Sequence, residues 1–270
     1  MRERLGSSMM GLFGRRSMTA LGSLLISFAV LVLIWQLAAS AAHLDLLLPS
    51  PFTVARAAVA MVASGELQSD IAASMARIVT GYFIGAAIAI PTGLLMGTVP
   101  FIRRFVDPYI EFFRYIPALS LITMALIWFG IGESSKVFLI VYGTTFIVVV
   151  ATSAGVAAIP KNRLRAAASL GANRPQMFVL VVLPSVIPQI YTGMRIALGN
   201  AFTTIVAAEL VSAQSGLGYV IFNARLYLQT DKIFVAIIAL GLLGLASDRL
   251  LRTVFRWLGW RFVQGAAASE

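Results

Sequence analysis

Asp107, Glu111 and Arg114 stand four and three residues apart at the head of an apolar run, so a helix places them on one face. Two chemistries fit that spacing. One is an ion pair within the helix near a membrane interface; the other is an inner mouth at which Arg114 offers a positive site to an anion. A second apolar run holds Arg195, Asn200, Thr203, Thr204 and Glu209. Asn200, Thr203 and Thr204 share a helical face and would form a polar seam, with Thr144 and Thr145 as opposite walls of a path. Threonine hydroxyls also bond to their own helix backbone, so the seam reads equally as a set of self-satisfied side chains. Ionisable groups inside lipid cost about 2.5–3.5 kcal/mol at mid-helix on insertion scales, and each therefore requires a reason.

Little else in the chain could do chemistry. The one histidine, His43, has no metal-ligand partner near it, and cysteine is absent, which removes thiolate chemistry and disulfides. The stretch "GIGESSK" (130–136) resembles a phosphate loop but lacks the glycine before its lysine and the Ser or Thr after it. No GxSxG elbow or HExxH pair occurs. A net charge of +10 raises the question of nucleic acid, yet the arginines cluster at the ends of apolar runs instead of forming a stripe with aromatics. No nucleic-acid partner is expected, and no enzyme within this chain alone.

The elements that position these residues follow from composition. Of 270 residues 59% are hydrophobic and 12% charged, against roughly 25% charged in soluble domains; mean hydropathy is +0.90. Six spans are predicted, at 19–41, 72–98, 108–130, 136–158, 179–212 and 232–254. Basic clusters set the orientation: Arg2, Arg4, Arg15 and Arg16; Arg103 and Arg104; Lys161, Arg163, Arg165 and Arg174; Arg249, Arg252, Arg256 and Arg261. All four groups fall on the cytoplasmic side if the six spans alternate, which puts both termini there. Segments 1–18 and 258–270 are then cytoplasmic, flanking a transmembrane domain over 19–257. Arg15-Arg16 followed by an apolar stretch imitates a secretion signal, but the stretch is longer than a signal core and reads as an uncleaved first span. Residues 49–67 and 216–231 are amphipathic and predicted to lie along the outer surface. Gly81 with Gly85, and Gly93 with Gly97, are small-xxx-small pairs expected to pack within the molecule.

Between the fourth and fifth spans lies the polar stretch "RAAASLGANRPQMFVLVVLP" (165–184), the core of a loop over 159–178. "RLRAAASLGA" predicts two turns of helix stopped by Gly171. A short exposed helix with a leucine knob beside a glycine suits docking into a groove on another protein.

These residues resemble the EAA motif of binding-protein-dependent ABC importer permeases, E-A-A-x-x-x-G followed after a gap by I-x-L-P. Ala166, Ala167 and Gly171 match the first half, and Val182, Leu183 and Pro184 fill the second. "IWFGIGESSK", "TGMRIALGNAFTTIVAAEL" and "GLGYVIFNAR" extend the resemblance to the taurine, sulfonate, nitrate and bicarbonate branch, over nearly the whole chain after residue 45. Arg165 stands where the family usually has glutamate, as it does in taurine-type permeases. The resemblance implies an all-α type I importer permease with six transmembrane helices. Its coupling helix would contact an ATPase subunit through Leu170 and Gly171, with Arg165, Ala166, Ala167 and Arg174 around them. It implies a second permease copy, two cytoplasmic nucleotide-binding ATPase subunits and an external solute-binding protein, in a bacterial inner membrane. This chain would bind no cofactor; ATP and Mg would belong to the ATPase partners. The implied cargo is a small anion: taurine or another sulfonate, nitrate or bicarbonate, and after these an aromatic acid or a thiamine precursor. The rival class, an ion-coupled secondary transporter or channel, needs an acidic coupling residue near mid-membrane, and Glu209 is the one candidate.

Overall fold

Lipid offers no hydrogen-bond partners to a backbone, so long apolar segments close their own amide bonds as helices. The computed structural model describes residues 26–41 and 47–267, with side chains to Trp257. Its helices are α1 (Ile26–Ala41), α2 (Pro51–Ala63), α3 (Glu66–Thr98), α4 (Pro100–Phe113), α5 (Ile122–Phe129), α6 (Glu133–Ala157), α7 (Lys161–Ser169), α8 (Arg174–Ser212), α9 (Leu217–Leu226) and α10 (Thr230–Ala267). Among the described residues α3, α6, α8 and α10 are each long and apolar enough to cross a membrane. Of the predicted first span, residues 19–25 lie outside the described residues, as do the segment 1–18 and the last three residues.

The third predicted span, 108–130, is not one helix. α4 and α5 together pass as a span, but they are bent by 83° at the break between them. Two features end α4 at Phe113. Pro117 has no N–H and forces Ile116 out of the helical region. The Phe113 carbonyl, whose helical donor would have been residue 117, accepts instead from the Ile116 N–H at 3.0 Å and from the Tyr142 hydroxyl of α6 at 2.7 Å. A short 3-10 turn, Ala118–Leu121, leads from the break into α5.

The core is a slab in which α3 lies along α6 and α6 along α8. Its contact is set by the four glycines of α3, two on either side of the turn that carries the buried Ala89. A methyl group at Gly81 would lie 2.6 Å from Cβ of Ile140, and one at Gly85 2.8 Å from Cβ of Thr144. Gly93 and Gly97 meet Thr152 and Val156 in the same way. The small residues thus pack within the molecule, and close backbone approach supplies the van der Waals contact that lipid cannot. Gly85→Leu is expected to destabilise the slab by about 1–3 kcal/mol through overpacking, read as a lower melting temperature of the purified permease. An unchanged melting temperature would mean that α3 and α6 do not touch there.

The two amphipathic segments become α2 and α9. Ser50 caps α2 by accepting the Thr53 N–H at 3.2 Å, with Pro51 as its first residue. Val54 and Met61 of α2, Leu217 and Val220 of α9, and Val235 and Ala236 of α10 form a second, smaller core.

Candidate functional site

The break between α4 and α5 opens a cavity of about 440 Å³ against α6 and α8. Arg114, Tyr115, Tyr142, Gly143 and Asn200 give it its polar and close-packed wall. Arg114 donates through Nη2 to Glu111 Oε2 at 2.9 Å and to Tyr115 Oη at 2.8 Å, and its guanidinium carbon sits 4.6 Å from the Tyr115 ring centre. The donors on Nε and Nη1 carry no bond among the described residues. The two readings of Arg114 are therefore compatible: it is ion-paired along its helix and still presents donors to the cavity. Asn200 reaches in from α8, its Oδ1 2.5 Å from where a Cβ on Gly143 would stand. Glycine at 143 makes the room that Asn200 occupies.

The other five residues expected on a path lie elsewhere. Thr144 is buried against Gly85, and its hydroxyl has no hydrogen bond among the described residues. Thr145 donates to Val141 O at 2.7 Å, and Thr203, which is exposed, to Asn200 O at 2.8 Å. Thr204 is buried and approaches Asn200 Oδ1 at 3.4 Å. Thr145 and Thr203 thus bond within their own helices, and Thr204→Leu places bulk in a buried position beside Asn200. Glu209 is only 1% exposed and lies inside a closed polar network. The spacing of the seam is correct, but a helix wedged between two neighbours buries most of any one face.

That network joins the N-terminal ends of α3 and α6 to the C-terminal end of α8, and its centre is Arg77 of α3. Arg77 Nη1 donates to Glu209 Oε1 and to Ser215 O, both at 2.7 Å. Nε and Nη2 form a fork on Glu133, at 2.5 and 2.8 Å, and Nη2 also reaches Ser215 Oγ at 3.0 Å. All the guanidinium donors are thereby used. Ser74 donates to the Glu209 carboxylate at 2.8 Å, and the amides of Gly216 and Gly218 donate to Asp70 and Glu209 at 2.7 and 2.8 Å. The "GLG" of residues 216–218 makes this possible: Gly216 has φ 114°, and a Cβ on Gly218 would lie 2.6 Å from Val206 O. Arg77 carried the available sequence signal, because a guanidinium inside the predicted span 72–98 demands an acid at equal depth in another span. Glu209 is that acid.

At the opposite end, α7 is held to the slab by Leu164, which packs on the core, and by Arg163, which donates to Ser185 Oγ at 3.0 Å. It closes in a Schellman turn: Gly171 N–H donates to Ala168 O at 3.0 Å and Ala172 N–H to Ala167 O at 3.1 Å, with Gly171 at φ 81°. A capping box follows at once, Gln176 N–H to Asn173 Oδ1 and Asn173 N–H to Gln176 Oε1, both 2.9 Å. Between the two caps Leu170 projects 88% exposed, with Arg165, Ala166 and Arg174 also exposed and Ala167 half-buried. α8 then widens by one π turn, where Leu183 N–H donates to Phe178 O, just before Pro184 withdraws a donor.

The family described as binding-protein-dependent transport system inner membrane component matches residues 81–259. A probable ABC transporter permease protein of Brucella melitensis is 42% identical over 89% of this chain and 97% of its own length. A putative aliphatic sulfonates transport permease of Escherichia coli is 40% identical, covering 85% of this chain and 88% of that one. The taurine transport system permease of the same bacterium is 36% identical over 86% of both. Among solved structures, a chain of the methionine ABC transporter MetNI superposes with a TM-score of 0.57 at 21% identity, over 70% of this chain and 95% of that chain. The helical arrangement is thus that of a type I importer permease. This chain belongs to the binding-protein-dependent inner membrane permease family: it is a multi-pass ABC transporter permease, not itself an enzyme, of the family that works with ATPase subunits and a binding protein.

Proposed function

We propose that the chain forms half of a permease pair that passes a small oxyanion of the sulfonate or taurine type from a binding protein to the cytoplasm. The observation that carries this reading is the cavity at the broken span. A guanidinium with free donors and a carboxamide converge there on a space of about 440 Å³ with otherwise mostly apolar walls, a composition suited to holding a small anion briefly. Relatives whose names state a cargo name taurine, aliphatic sulfonates or bicarbonate, all small and acidic-group-bearing solutes, and that supports a small oxyanion here, with the sulfonate type named by the more similar of them. Six spans with both termini in the cytoplasm remain part of the proposal, as does a homodimer. Energy enters through α7, whose exposed Leu170 docks in a groove of an ATPase subunit; ATP and Mg bind there and not in this chain.

Arg114→Gln tests the cavity. The exposed pair with Glu111 contributes only a few tenths of a kcal/mol, so assembly and melting temperature should hold. Loss of a charged hydrogen bond to the anion, about 1.5–3 kcal/mol, should lower transport at limiting substrate by at least tenfold. Normal transport at low substrate by the assembled variant would remove Arg114 from the path.

A further inference from the structure

α10 carries a stripe that nothing in the transport reading uses. Ile238, Leu242, Leu245, Arg249, Arg252 and Arg256 follow one another at spacings of four and three, and so lie on one face of the helix. All six are exposed. The stripe is apolar in its outer half and basic in its inner half. At its basic end a groove of about 390 Å³ is lined by Leu245, Asp248, Arg249, Arg252, Thr253 and Arg256.

The charges there are not balanced within the protein. Asp248 is already taken by Arg195, which holds it with a fork at 2.6 and 3.0 Å, and by Arg252 at 3.1 Å. Arg249 and Arg256 have no ion pair among the described residues. Four arginines thus face one aspartate, an excess of three positive charges, and the sequence has no acidic residue from 249 to 267. The depth is also specific. At 1.5 Å per residue, Arg249 lies about 26 Å and Arg256 about 36 Å along the helix from Lys232. These distances bracket the hydrocarbon thickness of about 30 Å, so the groove falls at the level of the inner phosphates. Trp257, 82% exposed, sits at the same level, where interfacial aromatics collect.

We propose that this stripe binds an anionic phospholipid of the inner leaflet, its phosphate between Arg249 and Arg256 and an acyl chain along Leu245, Leu242 and Ile238. The apolar half of the stripe selects a lipid over free phosphate, because a bare oxyanion gains nothing from three exposed aliphatic residues. Asp248 orients Arg252 toward the groove while its own charge is cancelled by the two guanidiniums that grip it.

The test uses the full-length permease purified in a zwitterionic detergent. Phosphatidylglycerol, phosphatidylcholine or inorganic phosphate is added, with melting temperature and native mass spectrometry as readouts. Phosphatidylglycerol should raise the melting temperature and remain bound, whereas phosphatidylcholine and phosphate should do neither. In R249Q/R256Q, retention should fall by about fivefold per arginine, on the order of thirtyfold for the pair. R249K/R256K should keep most of the binding, which separates loss of charge from loss of fold. Equal stabilisation by inorganic phosphate would make this a free oxyanion site. Unchanged lipid retention in R249Q/R256Q, with an altered number of copies per particle, would make the stripe a contact between permeases; either result overturns the proposal.

Discussion

Leu170→Glu is expected to abolish ATP-driven uptake while leaving the permease folded. The side chain is 88% exposed between two capped turns, so the slab loses no packing when it changes. In a docked groove the same residue is the one large apolar side chain on offer; burying a leucine is worth about 1.5–3 kcal/mol, and an unpaired polar group in its place costs about 1–3 kcal/mol more. Affinity for the ATPase should fall by roughly seventyfold or more, read as lost copurification. Gly171→Asp is its companion. A Cβ there meets nothing within 4 Å, and holding a non-glycine residue at φ 81° costs about 1–2 kcal/mol. Insertion should therefore survive while coupling does not. Uptake at the normal rate in both variants would remove α7 from the route by which energy enters.

The largest stability effect should come from Arg77→Met. It leaves Glu209, 1% exposed, with no guanidinium, and breaking a buried pair by removing one partner costs about 3–5 kcal/mol. Thermal unfolding of the variant should begin far below that of the parent, with the segment 213–218 and α9 the first to exchange their amide hydrogens. The double variant Arg77→Met with Glu209→Gln should recover part of the loss, because the most deeply buried acidic position no longer carries an unpaired charge, while Glu133 and Asp70 still lack the Arg77 guanidinium. A single variant as stable as the parent would show that the ion pair is idle.

The four long spans, the glycine contact and the capped polar loop after α6 were legible because each is local: run length, a four-residue spacing, a terminal glycine. The broken third span was half legible. A proline at 117 fixes where α4 must end, but the 83° bend and the bond from Tyr142 of another helix to Phe113 O are tertiary. The cavity was legible at Arg114 and Asn200 only. Tyr115 and Tyr142 carry no unusual charge in the sequence and enter the site because the chain turns there. Glu209 was legible as a buried charge but not as one arm of a network. A lone carboxylate in a span looks like a site until its partner is found, and Arg77 is 132 residues away. Depth in the membrane, compared between spans, pairs such charges where spacing along one helix cannot.

Uptake into proteoliposomes holding the permease and its ATPase, with the loaded binding protein on the outer face, tests the account most directly. The cargo is a radiolabelled sulfonate. Uptake should require hydrolysable ATP on the ATPase side, persist when ion gradients are collapsed, and disappear with Leu170→Glu. Accumulation driven by an ion gradient without ATP, and indifferent to Leu170→Glu, would contradict it.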